Sequence, residues 1–100
     1  MRQLVIRPAA QADLVSAVRW YVEQRASLGV SFRVAVRSSF SRALEQPQRH
    51  RRVHGEVRAI RVQRFPYRVF FIAEPERLVV IAVLHVRRKP VVWQRRSSGR

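Results

Sequence analysis

Cysteine is absent from the 100-residue chain, so neither a disulfide framework nor a thiolate metal site is open to it. The three histidines do not replace it. His50 and His54 stand four residues apart, but within an arginine-rich stretch that repels a cation, so neither a metal nor a cofactor is expected. Glycine occurs three times only, which with a hydrophobic fraction of 47% argues against a disordered or low-complexity chain. No apolar run is long enough to span a bilayer, since the longest, Leu78 to Leu84, is strand-sized. The stretch from Met1 to Arg7 is too short and too polar for a secretion signal, and a cytoplasmic protein is expected. Acids are the scarcest class that matters: six, against 21 lysines and arginines.

The resulting formal charge is +15, and Lys89 is the one lysine among those cations. Such a field draws in polyanions: nucleic acid, the ribosome or an acidic protein. Most of the arginines read as solvated surface, with the sign of the charge as the functional feature. Two pieces of so short a chain would each be too small to bury a sufficient core, so residues 1 to 100 are expected to form one domain.

Leu4, Val5 and Ile6 followed by Pro8 predict a strand over residues 3 to 7 that turns into a helix. From Ala9 to Arg25, Leu14, Ala17, Val18, Tyr21 and Val22 recur at three- and four-residue steps, the period of an amphipathic helix, with Gly29 as a stop beyond it. Ser31 to Gln46 repeats the pattern through Phe32, Val36, Phe40, Ala43 and Leu44, and Pro47 ends it. Residues 48 to 55 read as a basic loop. Three strands follow, over residues 57 to 63, 67 to 73 and 78 to 86, and the turn-like Glu74-Pro75-Glu76-Arg77 pairs the last two as an antiparallel hairpin. The unbroken apolar run from Leu78 predicts a central strand covered on both faces. Residues 95 to 100 have nothing to bury and read as a frayed tail. The expected fold is α+β, in the order β-α-α-β-β-β, with a helical hairpin packed on a small, mainly antiparallel sheet.

Several short patterns then stand in one order along the chain. Ala10, Asp13 and Leu14 precede Trp20-Tyr21 in the first helix. Arg58 precedes Phe65-Pro66-Tyr67 and the aromatic strand Val69, Phe70, Phe71. His85, Arg88, Pro90 and Trp93 close the series. Together they resemble the RelE/ParE toxin superfamily, particularly its ParE-like branch of plasmid stabilisation proteins. The resemblance implies the toxin half of a bacterial type II toxin-antitoxin pair, held inactive by an acidic antitoxin.

Each of these residues also has a physical reading. Phe65-Pro66-Tyr67 is a hinge that anchors the start of a strand. Arg58 shares parity with Ile60 and Val62, which puts a cation on a largely apolar face, where it needs an acid such as Asp13, Glu23 or Glu45, or else contacts a target or an antitoxin carboxylate. His85 ends the central strand on the face of Val79, Ile81 and Val83, either satisfied by hydrogen bonds or functional. Arg88 and Trp93 form a surface for stacking on a base or meeting a protein, or pack together as cation and ring.

The resemblance leaves two molecular targets. ParE-like members inhibit DNA gyrase and need only a binding surface, for which Arg58, His85, Arg88 and Trp93 are the candidates. RelE-like members cut mRNA on the ribosome, which needs a base, an acid and cations. His85, Arg88 and Arg61 would carry that chemistry, but Trp93 stands where a proton-exchanging residue is usual in that branch, and the lysines of its sheet are missing. A third reading is an inactive basic module that keeps the fold and merely binds.

Overall fold

The computed structural model of the chain describes residues 2 to 98. β1 (Gln3–Ile6) is short because Arg7 leads into Pro8, whose fixed φ and missing N–H suit the first position of a helix. α1 (Pro8–Gln24) follows at once. α2 (Ala26–Glu45) begins after a single extended residue, Arg25, whose N–H donates to the Tyr21 carbonyl at 2.9 Å. Gly29 is therefore no helix stop. It lies buried in the second turn of the α2 sequence, where an added Cβ would run into the Val22 side chain of α1. Its role is close helix approach rather than chain reversal.

This contact gives a signed expectation. Gly29→Ala alone should cost about 1 kcal/mol of stability through the clash with a β-branched, rotamer-restricted Val22. In a Val22→Ala background the same change should stabilise by about 1 kcal/mol, because alanine is the better helix former. Urea denaturation of the four proteins of this cycle measures the sign reversal.

A 3-10 turn (Pro47–Arg49) leads to β2 (Arg52–His54), which pairs with β3 (Val57–Arg61) around Gly55, whose φ of +55° the tight turn requires. β4 (Tyr67–Ala73) and β5 (Arg77–His85) form the expected antiparallel hairpin, and α3 (Pro90–Ser98) ends the described chain. The five strands lie in the order β1-β5-β4-β3-β2, with β1 parallel to β5 and the other neighbours antiparallel.

The α1–α2 hairpin covers one face of this sheet. Ala17, Tyr21, Phe32 and Val36 pack there against Ile60, Val69, Phe71, Leu78, Val80 and Val83. α3 covers the other face through Trp93, set against Val57, Phe70, Ile72, Val79, Ile81 and Leu84. β5 is thus buried on both sides, as its unbroken apolar run requires. Elements β2 and α3 go beyond the expected order. The basic loop read over residues 48 to 55 contains β2, whose only apolar residue is Val53, so it shows no alternation.

Two local features shape the site. First, β5 carries a bulge: Phe71 faces Val80 while Phe70 faces Ala82, so Ile81 is an extra residue and both Ile81 and Ala82 fall on the α3 side. Parity reverses beyond it. Val83 and His85 lie on the hairpin side, and the expectation that His85 shares a face with Val79 and Ile81 is corrected. An all-apolar strand gives no sign of a bulge.

Second, β1 stops early. The Arg7 N–H makes its bond to the Val80 carbonyl at 3.0 Å, while β5 runs on to His85 with that edge open. Side chains take the place of the missing strand. Asp13 Oδ2 accepts the Val83 N–H at 3.0 Å, Arg96 Nη1 donates to the Ile81 carbonyl at 3.1 Å, and the two side chains join in a forked ion pair of 2.5 and 3.1 Å. Asp13 comes from α1 and Arg96 from α3, so the pair ties both helical layers to the edge of the central strand. The frayed tail expected from residue 95 is, as far as Ser98, the last part of α3. Arg96 is what it has to bury; residues 99 and 100 lie outside the described residues.

Candidate functional site

The open edge of β5 forms the floor of a groove of about 460 Å³. Asp13, Ser16, Ala17, Trp20 and Tyr21 of α1 make one wall. Pro66 and Tyr67 at the start of β4 make the other, and Val83, Leu84, His85 and Arg88 close the end. The helical wall follows from spacing: residues 13, 16, 17 and 20 repeat at three and four, one face of α1. Trp20 is 54% exposed, a large aromatic surface at the rim whose ring meets Tyr21 edge-on at 5.0 Å.

Both walls are backed by aromatic rings. The Tyr21 ring stacks on Phe32 at 5.0 Å and meets Phe65 and Tyr67 edge-on at 5.0 and 6.1 Å, while Tyr67 meets the His85 ring edge-on at 5.4 Å. Burial pushes the Tyr67 phenol above its usual range, with the Arg88 cation opposing it, and burial together with the neighbouring Tyr67 pushes Tyr21 up as well. Both hydroxyls therefore stay protonated at neutral pH and serve as donors and acceptors, not as bases.

His85 Nδ1 accepts the Arg87 N–H at 3.0 Å. In the neutral ring that bond occupies the one free lone pair and fixes the proton on Nε2, so His85 presents a donor to the groove rather than a base. Backbone direction adds two more groups. The Val83 N–H points away from β4 to Asp13, and the Val86 N–H points back to Pro66 at 2.8 Å, so alternation turns the Val83 carbonyl and the His85 N–H toward the groove. The site can thus offer a guanidinium, an imidazole N–H, phenols, strand-edge groups and a bare indole.

The residues expected from sequence are only partly brought together. His85 and Arg88 share the groove. Arg58 does not reach it, and finds no acid either: its guanidinium donates to the carbonyls of His50 at 2.8 Å and Gln48 at 3.4 Å, pinning the segment before β2. Trp93 is 4% exposed and stacks on Phe70 at 4.6 Å on the opposite side of the sheet. It neither pairs with Arg88 nor offers its ring to a base. Arg61 lies on that side too, at the end of β3, with Nε donating to the Phe65 carbonyl at 3.4 Å.

Trp20, Tyr21 and Tyr67 were legible in sequence as fold markers and not as groove residues. The usable signal was a tryptophan at helical spacing from Asp13, one turn beyond Ser16 and Ala17. Among the described residues no group of three or more histidines, cysteines or acids is placed to hold a metal ion. Nor is any helix of them long and apolar enough to cross a membrane.

The layered arrangement of sheet, helical hairpin and third helix is found in the solved structure of the chromosomal ParDE TA system from P. aeruginosa. The match has a TM-score of 0.74 and 15% identity, over 85% of this chain and 96% of that one, a likeness of fold. No curated protein matches the chain by sequence. Residues 4–90 match the family model described as ParE toxin of type II toxin-antitoxin system, parDE, and the chain belongs to that family.

Proposed function

We propose that the chain is a toxin that arrests growth by binding DNA gyrase, with the groove along the open edge of β5 as its contact surface, and that an acidic antitoxin neutralises it in the cytoplasm. The observation that supports this best is the chemistry of the groove. Arg88 can hold a carboxylate, Trp20 and Tyr67 can bury an apolar side chain, and the Val83 and His85 backbone groups can pair with an extended segment. What the groove lacks is a free base for the 2′-OH of RNA: the phenols are held protonated, the Asp13 carboxylate is engaged by Arg96 and the Val83 N–H, and the His85 lone pair is committed to Arg87. This favours the binding reading over the mRNA endonuclease reading.

The antitoxin follows from charge and surface. A +15 chain that also exposes Val15, Val22, Val30 and Val34 on its helical hairpin suits an acidic segment with an apolar stripe that folds on contact. Induced expression without antitoxin tests the whole reading. Growth arrest with broken, poorly supercoiled DNA and intact mRNA is expected. Arrest with cut mRNA and normal supercoiling would overturn it in favour of the ribonuclease, and no arrest would leave only the inactive module.

A further inference from the structure

The α3 side of the sheet carries an arrangement that neither the groove nor the core accounts for. Arg61 of β3 and Arg68 of β4 are direct cross-strand partners. They share the α3 face, since both keep the parity of Val57, Ala59, Phe70 and Ile72. The adjoining Val62 N–H donates to the Tyr67 carbonyl at 2.9 Å, which makes 62 and 67 the hydrogen-bonded positions and leaves 61 opposite 68 at a non-hydrogen-bonded one. Side chains approach most closely at such a position, and like charges there repel.

No acid pairs with either arginine among the described residues. The ion pairs among the described residues are Arg52 with Glu56, Arg77 with Glu74, and Arg96 with Asp13. Both guanidinium stems are held in place all the same: Arg61 through the Phe65 carbonyl, and Arg68 over the Phe70 ring at 4.9 Å, a ring itself stacked on Trp93.

Topology concentrates further cations at this end of the sheet. The β3–β4 connection brings Arg64, held at a positive φ of 72°, and the exit from β5 brings Arg87 and Arg88, because β5 runs antiparallel to β4 with Tyr67 opposite His85. Of the exposed large apolar residues, Val15, Trp20, Val22, Val30 and Val34 lie on the helical hairpin and Val91 alone on α3, so a protein partner would find little apolar surface on this side. A chain of phosphates needs only the cations.

We infer that Arg61 and Arg68 form a clamp for a backbone phosphate of a nucleic acid, with Arg64 and Arg87 along the path of the neighbouring phosphates. This site is separate from the groove proposed for the protein target and does not depend on that reading. A phosphate between the two guanidinium forks would accept from both and cancel their repulsion.

Binding of the full chain to a labelled 20-base-pair DNA duplex and to a 20-nucleotide single-stranded RNA, titrated across salt concentrations, tests the clamp. Arg61→Gln/Arg68→Gln is expected to weaken the tighter of the two ligands by about tenfold and to lessen the slope of log K against log salt by about 1 to 2. Arg33→Gln/Arg37→Gln, which removes the same charge from the exposed face of α2, should weaken it by less than about threefold. Arg61→Lys/Arg68→Lys, which keeps the charge and loses the forks, should fall between. Whichever ligand shows the loss identifies the source of the phosphate. Equal losses for the two Gln pairs would overturn the clamp and leave general attraction by charge.

Discussion

Replacing Asp13 by alanine is expected to cost about 3 kcal/mol and to lower the melting temperature by roughly 10 to 20 °C, among the largest effects of any single substitution in this chain. The carboxylate is 11% exposed and does two things at once: it neutralises Arg96, 23% exposed, and accepts the Val83 N–H where the sheet has no neighbouring strand. Without it a largely buried guanidinium and a backbone donor both lose their partner. Arg96→Ala should cost less, about 1 to 2 kcal/mol, because Asp13 keeps the Val83 N–H. Asp13→Leu/Arg96→Met, which removes both charges and fills the space, should recover part of the loss. Thermal melts of these variants measure the order. Equal stability of Asp13→Ala and the native chain would show that the edge of β5 does not need its substitute strand.

The second large effect concerns the groove. Arg88→Glu is expected to weaken binding of the proposed target by about 30-fold or more, since it puts a carboxylate where the site offers its exposed cation. Induced cells carrying it should keep forming colonies while the folded chain accumulates normally. Trp93→Ala should also abolish arrest, but by another route: the loss of its stack on Phe70 and of its cover over the α3 face costs about 3 to 5 kcal/mol. Soluble protein levels separate the two. Arg88→Glu leaves them unchanged and Trp93→Ala lowers them. His85→Ala, which removes a donor but no base, should reduce arrest only in part. Complete loss with His85→Ala at normal protein levels would return weight to the ribonuclease.

Much of this fold is written in patterns of period. α1 shows its helical repeat, β4 and β5 show β-branched and aromatic runs, and the β4–β5 hairpin is where spacing puts it, whereas α2 starts at Ala26, five residues before the expected Ser31. The misplaced features have physical reasons. Gly29 looks like a stop because glycine ends helices, yet here it is the price of a close crossing with Val22. α3 hides because Pro90 and a run of polar and basic residues after Trp93 resemble a tail, and the acid that holds it, Asp13, lies 83 residues away in sequence.

The site was legible to a similar degree. His85 and Arg88 are neighbours in sequence and remain so in the groove. The basic residues on both sides of Trp93 suggest a surface or a pairing of cation and ring with Arg88, whereas the sheet separates it from Arg88 altogether. The parity of Arg58 suggests an acid within the chain or a contact with a target or antitoxin, and within the chain it is backbone carbonyls that it meets. Pairings such as Arg61 with Arg68 depend on strand register, which the tripeptide Phe65-Pro66-Tyr67 sets but does not announce.

The most direct test of the account is to titrate the purified full chain into a supercoiling reaction of DNA gyrase, beside a reaction that holds Arg88→Glu. The native chain is expected to stop supercoiling at near-stoichiometric amounts and to leave protein-linked breaks in the DNA, and Arg88→Glu to do neither. Full supercoiling with the native chain in large excess would contradict the assignment of gyrase as the target.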